Sequence, residues 1–225
     1  MTTLKPARAD SERTRAALID AALGLFGEKG FAATSTREIA SLASANIASI
    51  AYHFGGKEGL RDACAGHIVA TVQSLAGPVL AAIPAPADEA GAEAQLRAAM
   101  ERMTGFLLAG EEAGPIVQFI LREMQHPGPA FDILYAGLVE KVHRRLCAVW
   151  AAASGDDAES DATKIAVFTM IGQTVYFRIA REAVLRRMGW REIGAAEAGL
   201  ITATVLDNAL AALAARKKSR REKKS

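Results

Sequence analysis

Residues 34–57 read TSTREIASLASANIASIAYHFGGK, and this stretch decides the fold. Its pattern predicts two short helices, over residues 36–43 and 47–54, joined by a turn at residues 44–46. Asn46 is the expected N-cap of the second helix, because an asparagine oxygen accepts a free backbone N–H of the first turn. Apolar residues at helical spacing predict one buried face per helix, made of Ile39, Ala40 and Ala43 on the first and of Ile47, Ile50, Ala51 and Phe54 on the second. The pattern indicates a helix-turn-helix, whose second helix enters the major groove of DNA.

The residues left outside these buried faces are the predicted DNA contacts. The side chains suited to phosphate oxygens are Thr34, Thr36, Tyr52, His53 and Lys57. The candidates for contact with base edges are Arg37, Ala48 and Ser49. Arg37 can donate two hydrogen bonds to one guanine, which reads sequence, whereas a phosphate contact only positions the protein on the duplex.

Three motifs in the first quarter of the chain are more specific than a generic helix-turn-helix. They are Phe26-Gly27-Glu28-Lys29-Gly30-Phe31, then Thr34-x-Thr36-x-x-Ile39-Ala40, then Ile50-Ala51-Tyr52-His53-Phe54-x-x-Lys57-Glu58-x-Leu60. Together they resemble the TetR family of bacterial transcriptional regulators. Ser44 departs from the family, which usually has Gly in the turn. A serine reaches the conformation of that turn at a modest cost in free energy.

The resemblance implies an all-α protein with two domains. The expected N-terminal part, residues 1–56, is a polar arm followed by a three-helix domain that contains the helix-turn-helix. Residues 57–215 are expected to form a larger helical ligand-binding and dimerisation domain. Residues 216–225 are strongly basic and are expected to be a disordered tail, with attraction to nucleic acid as the alternative. In the family, the last two long helices, here about residues 162–188 and 191–215, join two subunits in a four-helix bundle.

Composition limits the protein to an ordinary globular class. The 225 residues are 51% hydrophobic and 23% charged, with a net charge of +2. Bulk charge therefore does not indicate nucleic-acid binding, so that any such signal must be local. The N-terminus lacks an apolar segment, and no apolar run approaches the roughly 18 residues of a membrane span. We therefore expect a cytoplasmic protein with no membrane contact.

A second motif, Arg122-Glu123-Met124-x-His126-Pro127-x-Pro129-Ala130-Phe131-Asp132, resembles the CecR (YbiH)-like branch of the TetR family. This resemblance implies a repressor that responds to a small molecule, and it does not name the ligand. Methionine adapts its shape to varied apolar molecules, whereas Arg122 and His126 suit an anionic or hydrogen-bonding group. The candidate effector contacts are Met100, Met103, Phe106, Phe119, Arg122, His126, Gln173 and Phe177.

Two alternatives to a regulator have little support in the sequence. The chain has no nucleophile elbow, phosphate loop or metal-ligand spacing, and no cofactor is expected. An enzyme would have to use His126 or His143 with Asp132 or Glu140. An interaction protein with a decayed helix-turn-helix should carry acidic or bulky apolar residues on its reading face, and the predicted face carries neither.

Overall fold

The computed structural model describes residues 5–82, 88–108 and 114–222, and these residues form helices and loops without a strand. An all-α fold is thereby confirmed. In chain order the helices are α1 (Lys5–Lys29), α2 (Thr36–Leu42), α3 (Ala48–Phe54), α4 (Lys57–Ala82), α5 (Glu89–Leu108), α6 (Gly114–Gln125), α7 (Pro129–Leu134), a π-helical turn (Tyr135–Val139), α8 (Glu140–Ser154), α9 (Asp161–Ile179), α10 (Arg181–Met188) and α11 (Ala195–Glu222).

The described helices belong to two compact units. The first unit lies within residues 1–82 and 115–139, and the second within residues 83–114 and 140–225. This division differs from the domain boundary that the sequence predicted after residue 56. The reason is that Leu60, Cys64 and Ile68 of α4 are fully buried in the same core as the helix-turn-helix. Helices α2 and α3 therefore share one core with α4, α6 and α7.

The first unit is built on the buried face of α1. Leu18, Ala22 and Phe26 recur at helical spacing and pack with Ile39 of α2 and Ile50 of α3. Gly30 has φ +83° and its N–H donates to the Phe26 carbonyl (3.0 Å). This is the left-handed C-cap that the position of the glycine predicts.

Apolar residues at helical spacing predict a single helix over residues 130–152, and the structure divides it. The α-helical hydrogen bonds of α7 give way to a π-helical turn before α8 begins. A Cβ atom placed on Gly137 of that turn would lie 2.7 Å from both γ-carbons of Val69. The absence of a side chain at Gly137 therefore allows the turn to approach α4 closely.

The second unit packs α5, α8 and α9 with α11. Its largest buried side chain is Trp150, which lies in one core with Leu96, Met100 and Met170. The predicted helix over residues 162–188 is broken at Ala180, where φ is −95° and ψ is +24°. The helix predicted over residues 93–109 begins four residues earlier, at Glu89. The sequence also predicts a loop over residues 83–92 and a turn over residues 110–114. Residues 83–87 and 110–113 lie outside the described residues, whereas residues 89–92 and Gly114 are helical, so both predictions are wrong there.

Both chain ends carry more helix than the sequence predicted. Helix α1 begins at Lys5 rather than at residue 11. Helix α11 continues to Glu222, so the prediction of a disordered tail is wrong for residues 216–222. The Nζ of Lys217 lies 2.6 Å from an oxygen of Glu89 and 3.4 Å from one of Glu93, and these two carboxylates raise the pKa of Lys217. The ion pairs join the end of α11 to the start of α5.

Among the described helices, only α11 is long and apolar enough to cross a membrane by length and composition. Ile201, Val205, Ala209 and Leu213 of this helix are buried in the core of the second unit. The apolar content of α11 is thus accounted for in part by packing within the protein.

Candidate nucleic-acid interface and effector site

Helix α2 begins at a complete capping box. The Glu38 N–H donates to the Ser35 hydroxyl oxygen (3.1 Å), and the Ser35 N–H donates to a Glu38 carboxylate oxygen (2.9 Å). Lys29 lies 3.0 Å from the other oxygen of Glu38. The Ser35 N–H, followed by Lys29, lowers the pKa of Glu38 to about 2. These contacts hold the start of α2 against the end of α1.

The turn between α2 and α3 has the geometry of a helix-turn-helix. Ser44 has φ +50°, which is the left-handed conformation that a glycine would adopt without strain. The Asn46 side-chain oxygen accepts a hydrogen bond from the Ala48 N–H (2.9 Å). The hydrogen bond predicted for the Asn46 side chain is present, although Ile47 and not Asn46 directly precedes the helix, which begins at Ala48.

The solvent-facing side of α3 differs in part from the predicted one. Tyr52 is 82% exposed and Ala48 is exposed, as expected, whereas Ser49 and His53 are half-buried. Ile47 and Ala51 were predicted to face inward and are both exposed. Ile47 precedes the first helical residue, so its side chain does not follow the helical periodicity. Ile50 alone on this helix is fully buried.

On α2 the candidate for base reading is accessible. Arg37 is exposed, and Thr36 beside it is half-buried at the first position of the helix. Leu42, the last residue of α2, is 63% exposed. The sequence pattern predicts it at the edge of the buried face. Leu42, Ile47 and Ala51 are apolar, and the sequence pattern therefore indicates packing for them and not contact with DNA.

Thr34 does not belong to this exposed surface. It is only 2% exposed, its hydroxyl donates to the Gly30 carbonyl (2.8 Å), and the Leu25 carbonyl lies within 3.2 Å. Both carbonyls belong to the end of α1, where backbone oxygens lack partners within the helix. The prediction that Thr34 contacts phosphate is therefore wrong, since its hydroxyl stabilises the end of α1 instead.

Two cations converge on Phe31, which follows the end of α1. The Nζ of Lys57 donates to the Phe31 carbonyl (2.5 Å) and lies 4.2 Å from the centroid of its ring. The guanidinium carbon of Arg61 lies 4.7 Å from the same centroid. Arg61 also donates two hydrogen bonds to the buried carboxylate of Glu123 (2.8 and 2.6 Å). We call Phe31, Lys57, Arg61 and Glu123 the Phe31 corner.

Arg122, a predicted effector contact, is bound to the end of α1. Its Nε donates to the Gly27 carbonyl (2.6 Å) and one terminal nitrogen donates to the Glu28 carbonyl (2.5 Å). A cation is favoured there by the negative end of the helix dipole. The assignment of Arg122 to an effector anion is therefore wrong, because two of its donors are committed to α1.

The other candidate effector contacts lie in both units. Phe119 is buried in the core of the first unit, 6.4 Å from Phe26 between ring centroids, and His126 is exposed in that unit. The second unit holds the remaining five, which are Met100, Met103, Phe106, Gln173 and Phe177. Met100 is fully buried, whereas the side-chain oxygen of Gln173 accepts a hydrogen bond from Asn208 (2.9 Å). The five residues of the second unit are the candidates that one site can bring together.

Comparison with known proteins gives the family. A model of the bacterial regulatory proteins of the tetR family matches residues 18–64, and a model of the C-terminal domain of the HTH-type transcriptional dual regulator CecR matches residues 92–216. CecR of Shigella flexneri is 35% identical over 200 residues, which cover 86% of this chain and 88% of CecR. The chain belongs to the TetR family. It is a transcriptional regulator with a CecR-type C-terminal domain.

Other TetR-like proteins share shorter segments or the fold alone. The probable regulator YttP of Bacillus subtilis (strain 168) is 49% identical over 49 residues, 22% of this chain and 24% of YttP. The crystal structure of AibR with isovaleryl coenzyme A and operator DNA aligns with a TM-score of 0.65 at 18% identity, over 86% of this chain and 96% of AibR. A putative regulator from Pseudomonas aeruginosa PAO1 also gives 0.65, at 16% identity, over 94% of this chain and 95% of that one.

In this TetR-family chain neither cysteine has the environment of a nucleophile. Cys64 is fully buried and Cys147 is nearly so, and burial raises the pKa of both thiols. A thiol must ionise to react, so burial disfavours the reactive form. Both cysteines serve as small apolar core residues.

Proposed function

We propose that the protein is a cytoplasmic, ligand-responsive repressor that binds a palindromic operator as a homodimer. The observation that carries the proposal is the exposed face of α3, where small side chains surround Tyr52 while Ile50 anchors the helix in the core. A face of this kind can lie close to base edges in the major groove. The capping box and the Phe31 corner support it by holding α2 and α4 against the end of α1.

The proposed contacts with DNA follow exposure and chemistry. We assign base reading to Arg37, Ala48 and Ser49, and apolar contact with thymine methyl groups to Ile47 and Ala51. The proposed phosphate contacts are Thr36, Tyr52, His53 and Lys57. Lys57 remains among them because its ammonium has three N–H donors and directs one to the Phe31 carbonyl.

A stripe on α9 supports the proposed homodimer. Ile165, Phe168, Tyr176 and Ile179 are each more than half exposed, and their spacing places them along one side of the helix. Gly172 is exposed in the same stripe and permits close approach of another helix. Apolar side chains repeated in this way are typical of a protein interface. We propose that α9 and α11 form the interface and that the two α3 helices lie about 34–36 Å apart on DNA.

The effector is proposed to act by changing which arrangement of the two reading helices is populated. A ligand shifts such an equilibrium only by its difference in affinity for the two states. AibR, a structural neighbour, was crystallised with both isovaleryl coenzyme A and operator DNA, which shows that one protein of this fold binds both kinds of molecule. We therefore expect effector binding to release this protein from its operator.

The proposed operator binding is tested by selecting random duplex DNA on the purified protein at one stated salt concentration. We expect a palindrome whose half-sites lie about one helical turn apart. Arg37→Ala should then cost about 1–3 kcal/mol against the selected sequence and relax specificity at one position.

The matched variant is Tyr52→Phe, which removes one exposed hydroxyl and should weaken binding to all sequences alike. If Arg37→Ala weakened all sequences equally, Arg37 would be a phosphate contact and not a reader of bases. Recovery of sequence-blind binding alone would overturn the proposal of an operator and favour the decayed helix-turn-helix.

A further inference from the structure

Two threonines in the core of the second unit are hydrogen-bonded to each other and to no other residue that the structure describes. Thr104 of α5 and Thr174 of α9 are both fully buried, and their hydroxyl oxygens are 3.3 Å apart. Other threonines of the second unit bond differently, since Thr169 of α9 and Thr204 of α11 each donate to the carbonyl four residues earlier (2.8 and 3.0 Å). The hydroxyls of Thr104 and Thr174 are thus bonded between two helices and not to a carbonyl of their own helix.

This pairing leaves hydrogen-bonding capacity unused inside an apolar core. Two hydroxyls carry two hydrogens, and one bond between them uses only one hydrogen. Thr104 and Thr174 have no other hydrogen-bond partner within the described part of the chain. A buried donor without an acceptor costs free energy, so a ligand oxygen that accepts this hydrogen would be favoured.

The guanidinium of Arg178 follows the threonine pair by one helical turn on α9. Arg178 is four residues after Thr174, which places the two side chains on one face of the helix. Arg178 is half-buried and has no carboxylate or other hydrogen-bond partner among the residues the structure describes. One of its terminal nitrogens is 3.0 Å from the position of a Cβ on Gly114, so the guanidinium lies directly against that backbone. Burial, followed by the charge of Arg181, lowers the pKa of Arg178.

The same two helices carry apolar, deformable side chains on the other side of the threonine pair. Met100 precedes Thr104 by one turn, and Met170 precedes Thr174 by one turn, and both methionines are buried in one core. Met103 is packed against this core as well. The sequence of groups along α9 is therefore apolar, then hydroxyl, then cationic.

We propose that Arg178 and the Thr104–Thr174 pair bind the head of the effector, and that the effector is a carboxylic acid with an apolar body. This inference rests on the proposed function, from which it takes the existence of an effector. A carboxylate matches the single charge of Arg178 and accepts both a forked pair of N–H donors and a hydroxyl hydrogen. The adaptable methionines take the apolar body. Arg178, and not Arg122, is therefore the proposed contact for the anionic group of the effector.

The test uses the full-length protein and straight-chain carboxylates from butanoate to dodecanoate, each compared with the alcohol of equal length. Binding is followed by the fluorescence of Trp150 and Trp190, which both lie in the second unit. Wild-type protein should bind at least one carboxylate about tenfold or more tightly than its alcohol, because hydrogen bonds to a charged group are the stronger ones. Arg178→Gln should abolish that preference and Arg178→Lys should restore part of it.

Arg181→Gln is the matched control, since it removes an exposed cation three residues away. It should leave the preference for carboxylate unchanged. Thr174→Val, which keeps the side-chain shape, should weaken carboxylate binding several-fold and leave alcohol binding nearly unchanged if the hydroxyl pair meets the carboxylate.

Operator binding by each variant without ligand separates this inference from the proposed function. Two outcomes would overturn the inference alone, provided that the wild-type protein binds operator. One is that Arg178→Gln keeps the preference for carboxylate, and the other is that no carboxylate in the series binds. Failure of the wild-type protein to bind operator without ligand would overturn the proposed function. Thermal unfolding of Arg178→Gln itself, compared with wild type, separates a loss of carboxylate preference from a failure to fold.

Discussion

At the scale of single residues, the pair formed by Arg61 and Glu123 has the largest expected effect on stability. The side chain of Glu123 is 5% exposed and that of Arg61 is 19% exposed. Removing one partner of a buried pair leaves the other charge uncompensated, which costs about 3–5 kcal/mol. We therefore expect Glu123→Ala to lower the free energy of unfolding by about 3 kcal/mol in urea denaturation.

Glu182→Ala is the matched control for that variant. Glu182 pairs with Arg186 on the surface of α10, where both side chains are more than two-thirds exposed. An exposed pair contributes about 0.5 kcal/mol or less. Equal losses in the two variants would show that burial of the Arg61–Glu123 pair has no energetic weight.

Glu38 gives a prediction for pH. Its pKa in the folded protein is about 2, below its ordinary value of 4.5. A lowered folded-state pKa means that the stabilising contribution is present above pH 4.5 and is lost as the pH falls toward 2. Glu38→Gln, which cannot ionise, should therefore unfold with a flatter dependence on acid than wild type across this interval. Parallel curves of thermal midpoint against pH would contradict the capping box as an acid-sensitive element.

At the scale of elements, the turn between α2 and α3 carries a backbone strain that substitution can relieve. Ser44 has φ +50°, and the left-handed conformation costs a non-glycine residue about 1 kcal/mol. Ser44→Gly should remove this strain while adding some entropy to the unfolded chain, for a net gain of about 0.5 kcal/mol. Ser44→Val should lose about 1 kcal/mol or more, because a branched side chain tolerates positive φ poorly. Thermal unfolding measures both, and a more stable Ser44→Val variant would contradict the reasoning.

Element types could be predicted from the sequence because apolar periodicity and caps are local properties. Gly30, Asn46 and the break at residues 126–129 each act within a few residues of their own position. The break at Ala180 could not be predicted in this way, because residues 176–184 contain neither Pro nor Gly. The π-helical turn at 135–139 was missed for a similar reason, since it depends on how closely Gly137 approaches Val69 in α4.

Side-chain roles were less predictable than elements. Thr34 and Arg122 look like ligands for an anion when only their chemistry is considered, and both instead bind carbonyls at the end of α1. Ala51 was assigned to the core because alanine is apolar, although so small a side chain fits either environment. The contact between Thr104 and Thr174 could not be predicted from local pattern, because the two residues are 70 positions apart in sequence.

At the scale of the whole molecule, the proposed homodimer makes a prediction about association. Ile165 on the α9 stripe is 64% exposed, and we expect Ile165→Asp to convert dimer to monomer in sedimentation measurements at equal protein concentration. A charge buried in an apolar interface would have no partner and would disfavour association. Ile133→Asp on α7 is the control, because Ile133 is an exposed apolar residue of the first unit. Dimers that persist in Ile165→Asp would exclude this stripe as the interface.

The helical end of α11 has a practical consequence for handling the protein. The basic residues at the C-terminus resemble an appendage that could be trimmed or replaced by an affinity tag. Yet Lys217 neutralises two glutamates at the start of α5, and Arg220 donates to the Ser154 carbonyl at the end of α8 (3.4 Å). Cutting the chain at residue 215 would remove the Lys217 ammonium from both carboxylates. An affinity tag at the N-terminus is suitable only if α1 tolerates it. A label on an internal surface residue is therefore the safer choice for this protein.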